Sequence, residues 1–235
     1  MLTIFLNLIL YTLTCSFTHY FIRKLFNYNR DTSYFLIHFI FNMFMVYKTY
    51  ERTFLCFTQP LKSMIGYHSI DPMIWLSSFH LSHIILDYKY LKIIDWIHHF
   101  FSVFIICLLN IYYFVGSLSD LAIFFGSGLP GGINYLCLYL VKIKIMSKET
   151  EKFINCYLNM LCRLPGLLYW MSLSWICWIS NNIKISEESK KMSLYILLLQ
   201  FIFVSGNGIF FASRVLLNYQ KYLNKNNIKI LKKKI

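Results

Sequence analysis

Apolar runs close to the roughly 20 residues that an α-helix needs to cross a bilayer recur along this whole chain. Seven are read: Leu2–Ile22, Ser33–Tyr47, Pro72–Tyr88, Ile94–Val115, Leu118–Val141, Phe153–Ile179 and Met192–Leu217. In lipid every backbone N–H and C=O must be bonded internally, so runs of this length predict helices. The expected fold class is therefore all-α, a polytopic membrane bundle of about seven transmembrane helices. The 57% hydrophobic content agrees, because few soluble domains are that apolar. No stretch reads as a soluble module. The chain divides into a first helix with its loop (1–30), a membrane domain (31–219) and a basic tail (220–235).

The formal net charge is +13, but the Lys and Arg residues sit almost wholly between the apolar runs. That arrangement serves topology and attraction to anionic headgroups. No basic motif is interleaved with a recognition element, so nucleic acid is not expected as a partner. One set of loops carries Arg23, Lys24, Arg30, Lys89, Lys92, Lys142, Lys144, Lys148 and Lys152, and continues with the tail lysines. The opposite set carries only Lys48, Arg52, Lys62, Lys184, Lys190 and Lys191. The richer side is expected to be cytosolic, with the N-terminus lumenal or extracellular and the tail in the cytosol. The first run differs from a signal peptide. Arg23 and Lys24 follow it, and no small-residue cleavage site is visible, so a retained helix is expected.

The seven cysteines, Cys15, Cys56, Cys107, Cys137, Cys156, Cys162 and Cys177, are scattered and include no CxxC. They read as core cysteines, not as a disulfide framework or a thiolate zinc site.

Ionisable side chains crowd into apolar helices at one place, Phe79 to Phe101. His80, His83 and Asp87 share one helical face, and Asp95, His98 and His99 share another. The short linker Tyr88–Ile94 predicts an antiparallel hairpin that turns at the cytosolic surface. Titratable groups inside a membrane are costly, so these are the first functional candidates. Arg163 lies near the middle of the sixth run and should face inward, toward a carboxylate, backbone carbonyls or an anionic headgroup. Gly126 to Gly132 and Pro165-Gly166 predict a kink or an unwound turn in the fifth and sixth runs. Gly128 and Gly132 also offer a small face for close helix packing.

Three chemistries suit the hairpin. Its four imidazoles have the donor chemistry for zinc or iron. However, membrane di-iron hydroxylases and desaturases use larger histidine sets in HxxxH and HxxHH boxes. Neither box occurs here, and His19, His38 and His68 fall outside the hairpin. No metal and no cofactor are therefore expected. Alternatively, His98 or His99, oriented by Asp87, suits a general base for attack of an amine or hydroxyl on an acyl group. The third reading is structural: Asp95 caps a helix starting near Trp96, and the imidazoles hydrogen-bond across helices.

At this hairpin the sequence resembles the TLC-domain family, which includes ceramide synthases, translocon-associated membrane proteins and lipid-regulating proteins. The matching features are the helix ending in Asp87, the short turn, the His98-His99 pair opening the next helix, and Leu129-Pro-Gly-Gly-Ile-Asn134, which looks like the family's small/Pro-Phe-Leu-Asn stretch. The resemblance covers roughly residues 31–219. It implies a six-helix bundle around a lipid cavity entered from the cytosolic leaflet, with an extra N-terminal helix. His80, His83, Asp87, His98, His99 and Arg163 would then line the lipid site. Acyl transfer, with acyl-CoA as co-substrate, would rest on His98, His99 and Asp87. The second half of the synthase signature is missing: Ser119 precedes Asp120 where a His is expected, and Phe124-Phe-Gly-Ser-Gly128 holds no acid. The expectation is a protein that binds a membrane lipid and influences lipid composition. The alternatives are a divergent sphingoid-base N-acyltransferase and a membrane chaperone or cargo receptor. The tail ends LKKKI, and Lys232 and Lys233 resemble a dilysine signal for retrieval to the endoplasmic reticulum.

Overall fold

The computed structural model describes residues 2–63, 70–100, 117–181 and 187–233, with the side chains of 181, 187–193 and 226–233 left aside. His68, Cys107, Lys184 and Lys234, most of the fourth run and the side chains of Lys232 and Lys233 lie outside the described residues. Among the described residues every regular element is helical. Three helices, Leu2–Leu25, Leu118–Lys142 and Leu194–Lys225, are long and apolar enough to cross a membrane. The chain thus has the make-up of an integral membrane protein.

Helix α1 is Leu2–Leu25, α2 is Arg30–Thr58, α3 is the single turn Pro60–Ser63, α4 is Asp71–Asp87 and α5 is Ile93–Phe100. Helix α6 is Leu118–Lys142. Two further long helices follow: α7 over 148–181 and α8 over 187–233.

Helix α2 is the central member. Its Arg30, His38, Phe41, Phe44 and Lys48 meet Asp87, His83, Phe79, Trp75 and Asp71 in turn, so α4 runs antiparallel to it. Along another face Tyr34, Asn42, Val46 and Arg52 meet Tyr135, Gly131, Gly128 and Asp120, so α6 is antiparallel too. Helix α1 runs parallel to α4: Tyr11 stacks on Trp75 at 3.9 Å, and His19 lies edge-on to His83. Its stripe Thr12, Cys15, His19 and Ile22 is buried, while Phe5, Leu6, Leu13, Phe17 and Phe21 face outward as lipid-facing residues do. At the end carrying Asp31, Lys142 Nζ donates to Asp31 Oδ2 at 2.7 Å and holds that carboxyl below its ordinary range.

Two expectations need correction. The second run, read as Ser33–Tyr47 with room to extend toward Tyr50, is longer: α2 continues to Thr58. Lys48 and Arg52 do not end the helix because each has an acid on a neighbouring helix, Asp71 and Asp120. The proline and glycine segments do not unwind: the helices continue through them. A π turn, Phe124–Gly128 or Asn159–Arg163, precedes Pro130 and Pro165 in α6 and α7, and a third, Phe201–Ser205, precedes Gly206 in α8. The N–H of Leu129 reaches Phe124 O, and that of Leu164 reaches Asn159 O, five residues back. One inserted residue relieves the clash a proline ring makes with the preceding turn. The small face is used as expected. A Cβ on Gly132 would lie 2.9 Å from Met43 Sδ, and one on Gly128 would lie 3.3 Å from Val46 Cγ2.

Candidate functional site

The hairpin forms. Tyr88–Tyr90 makes one tight turn, and Asp95 Oδ2 accepts from the Lys92 N–H at 2.9 Å. Asp95 therefore caps α5, which starts at Ile93, two residues before it, and not near Trp96. His80 of α4 faces His98 and His99 of α5, and His83, one turn further along α4, lies beside them. His80 Nδ1 lies 2.9 Å from His99 Nδ1, so one ring donates and the other accepts. The His98 ring stands edge-on to His80 at 5.3 Å, and its Nδ1 is 3.3 Å from Asn207 Oδ1 of α8. The small polar patch at Ser205–Gly208 thus reaches the site from a third helix.

The cluster is larger than the hairpin. His38 of α2 stacks on His83 at 4.3 Å with 11° between the rings, and His19 of α1 sits 6.1 Å from His83. His83 is also 6.2 Å from His99. Six of the seven histidines therefore form one continuous group on α1, α2, α4 and α5. An aromatic shell encloses one side, with Tyr34 3.9 Å and Tyr135 4.3 Å from the His38 ring, and Phe79 edge-on to His83 at 4.4 Å. His38 Nδ1 is fixed by Tyr34 O at 2.7 Å.

No family model, curated protein or solved structure matches this chain. The geometry alone therefore carries the chemical reading.

Asp87 does not orient His98 or His99, as the acyl-transfer scheme required. Its Oδ1 accepts from Arg30 Nε at 2.9 Å, and its nearest imidazole is His83, with Nδ1 4.0 Å from Oδ2. The cause is helix register. Asp87 is one turn beyond His83 on the same face, while His98 and His99 stand against His80, two turns before it. Arg163 is buried as expected, but its described partner is an amide. It donates to Asn159 Oδ1 across the π turn, and its Nε has no partner. It is an electrostatic neighbour of Tyr135, whose ring lies 4.3 Å from that of His38.

Sequence reasoning missed His19 and His38. The signal was present: each is a lone titratable residue on the buried stripe of an apolar helix, four residues after Cys15 and Tyr34 respectively. The test applied to the hairpin would have selected both. Among the described residues, two groups of side chains have the donors and proximity to hold a metal ion. They are His80, His98 and His99, and His19, His83 and Asp87, with ligand atoms within 4.8 Å of one another in each.

An apolar cavity of about 200 Å³ adjoins the cluster between α1, α2 and α4. Cys15, Thr18, Ile22, Ile37, Phe41 and Phe79 are among its lining residues. Phe79, stacked on Phe41 at 3.7 Å, forms the wall shared with His38 and His83.

Proposed function

We propose that this chain is a multi-pass membrane protein of TLC type that binds an acyl-chain lipid and influences membrane lipid composition. The observation that supports this best is an apolar slot whose aromatic wall backs onto a buried imidazole cluster. A hydrocarbon chain suits the slot, and a polar headgroup suits the imidazole side. In this reading seven helices span the bilayer, six of them forming the TLC bundle with α1 as the extra helix. His80, His83, Asp87, His98 and His99 then serve the headgroup side, with Arg163 near Tyr135. Asp87 stands with Arg30 and His83, which favours lipid binding over the N-acyltransferase alternative.

The test uses a phospholipid with a photoactivatable acyl chain, incorporated into membranes holding the full chain. Cross-links should concentrate in peptides containing Thr14–Ile22 and Ile37–Phe44. Ile40→Trp, at the slot's edge, should reduce them several-fold. Labelling spread evenly over the outward residues of α1 would remove the slot from the proposal. Lipid profiling of expressing cells supplies the second readout: changed phospholipid acyl chains support a lipid regulator, and new ceramide supports the acyltransferase.

We further propose residence in the endoplasmic reticulum with the tail in the cytosol, from the loop charge bias and Lys232-Lys233. Replacing both lysines by Ser should release the protein to later compartments. A glycosylation acceptor placed before Leu2 should be modified, and one placed after Lys234 should not. The reverse glycan pattern would invert the topology.

A further inference from the structure

We propose that the chain binds one divalent first-row transition ion, with zinc the first candidate, through His19, His83 and Asp87. Metal chemistry was set aside at the level of sequence because the His boxes are absent. The fold supplies what spacing does not. It brings a ligand from α1 against an i, i+4 His/Asp pair on α4, with all three side chains buried. The proposal stands whether or not the slot holds a lipid.

The decisive observation is what these atoms lack. His83 is 1% exposed, and neither ring nitrogen has a hydrogen-bond partner. His19 Nδ1 and Asp87 Oδ2 are buried and unpartnered as well. Each such atom is costly when left unsatisfied, and a charged group more so. The three residues do not satisfy one another. The closest His83–Asp87 approach is 4.0 Å, and the His19 and His83 rings are 6.1 Å apart. A cation among them takes one atom from each residue, and so engages one nitrogen of His83 together with a ligand atom of His19 and of Asp87.

The donor set selects the ion. Two imidazoles and a carboxylate suit zinc and its first-row neighbours, whereas magnesium and calcium prefer all-oxygen sets. Zinc holds such ligands at about 2.0–2.2 Å, so small side-chain rotations must draw the three atoms together on loading. The surroundings already restrain two of them. Arg30 Nε fixes Asp87 Oδ1, and the His38 ring, itself held by Tyr34 O, stacks flat on His83. Outer partners of this kind set the orientation of metal ligands. The neighbouring trio differs: His80 and His99 already hydrogen-bond each other, and His98 engages Asn207. The trio therefore has no comparable deficit, and the proposal is for one ion per chain.

The experiment uses tag-free, full-length protein in detergent, stripped with a chelator, loaded with Zn²⁺ or Co²⁺ and desalted. One ion per chain should remain, and the Co²⁺ form should show ligand-field absorption that Zn²⁺ abolishes. His83→Gln, Asp87→Asn and His19→Gln should each lower retention at least tenfold, while His80→Gln keeps it. Arg30→Ala should weaken loading about 10- to 100-fold by releasing Asp87 Oδ1. Mg²⁺ and Ca²⁺ should not compete. The wild-type Co²⁺ spectrum and its Zn²⁺ displacement decide the matter even where a variant does not fold. Metal no higher than the detergent blank would overturn the proposal, as would retention lost in His80→Gln but kept in His83→Gln.

Discussion

Replacing Arg52 by Ala should lower the stability of the folded bundle by about 3 kcal/mol, the lower end of what breaking a buried ion pair costs. Arg52 Nη1 meets Asp120 Oδ2 at 3.1 Å, joining α2 to α6 near the end opposite the histidine hairpin's turn. The side chain of Asp120 is 1% exposed and that of Arg52 31% exposed, so the carboxylate, not the guanidinium, is stranded when the pair is broken. A stranded buried carboxylate loses its solvation and gains nothing in exchange. Asp120→Asn in the Arg52→Ala background should therefore recover most of the loss, although it restores no ion pair. Trp fluorescence during thermal unfolding in detergent reads both variants. A single-variant cost within about 0.5 kcal/mol, the scale of ordinary surface changes, would show that the pair is solvated and does not tie α2 to α6.

The helical class and the hairpin were legible because they rest on local patterns: run length, period and a short turn. The corresponding limits are also physical. Lys48 and Arg52 looked like the end of a span, since charge on an apolar run normally marks the interface. Their acids, Asp71 and Asp120, are 23 and 68 residues away, and no local pattern reveals such a pairing. Pro130 and Pro165 were correctly read as helix disturbances. The form of relief, a π turn that inserts one residue while the helix continues, depends on the packing around it.

The histidine cluster shows the same division. Facing placement of His80 and His99 followed from the hairpin alone. The gathering of His19 and His38 around His83 required α1 to run parallel to α4 while α2 runs antiparallel to it. Only the three-helix arrangement makes one buried stripe of α1 serve two purposes, with Cys15 and Ile22 lining the apolar slot and His19 between them entering the cluster. An apolar slot and a polar cluster thus share one stripe of α1, within about two helical turns of each other.

Gly166→Val should cost about 3 kcal/mol, the upper end of what overpacking a tight interior produces. A Cβ at Gly166 would overlap Phe125 Cγ and lie 2.7 Å from Phe125 Cβ. These atoms are near the root of the Phe125 side chain, so rotating the ring tip does not relieve the contact. Phe125 belongs to the π turn of α6, and Gly166 follows Pro165 just after the π turn of α7. The two disturbed segments thus pack directly on each other, and the missing side chain at Gly166 is what admits the ring. The variant must either push α7 away from α6 or turn Phe125 out of its place beside Phe57, which it meets edge-on at 6.0 Å. Phe125→Ala should lose stability by itself through the vacated volume. Combined with Gly166→Val it should lose much less than the sum, because the valine occupies space the ring has left. Additive losses in the double variant, measured by the same thermal unfolding, would mean that the two residues do not share one contact, and the close seating of α7 on α6 would need another cause.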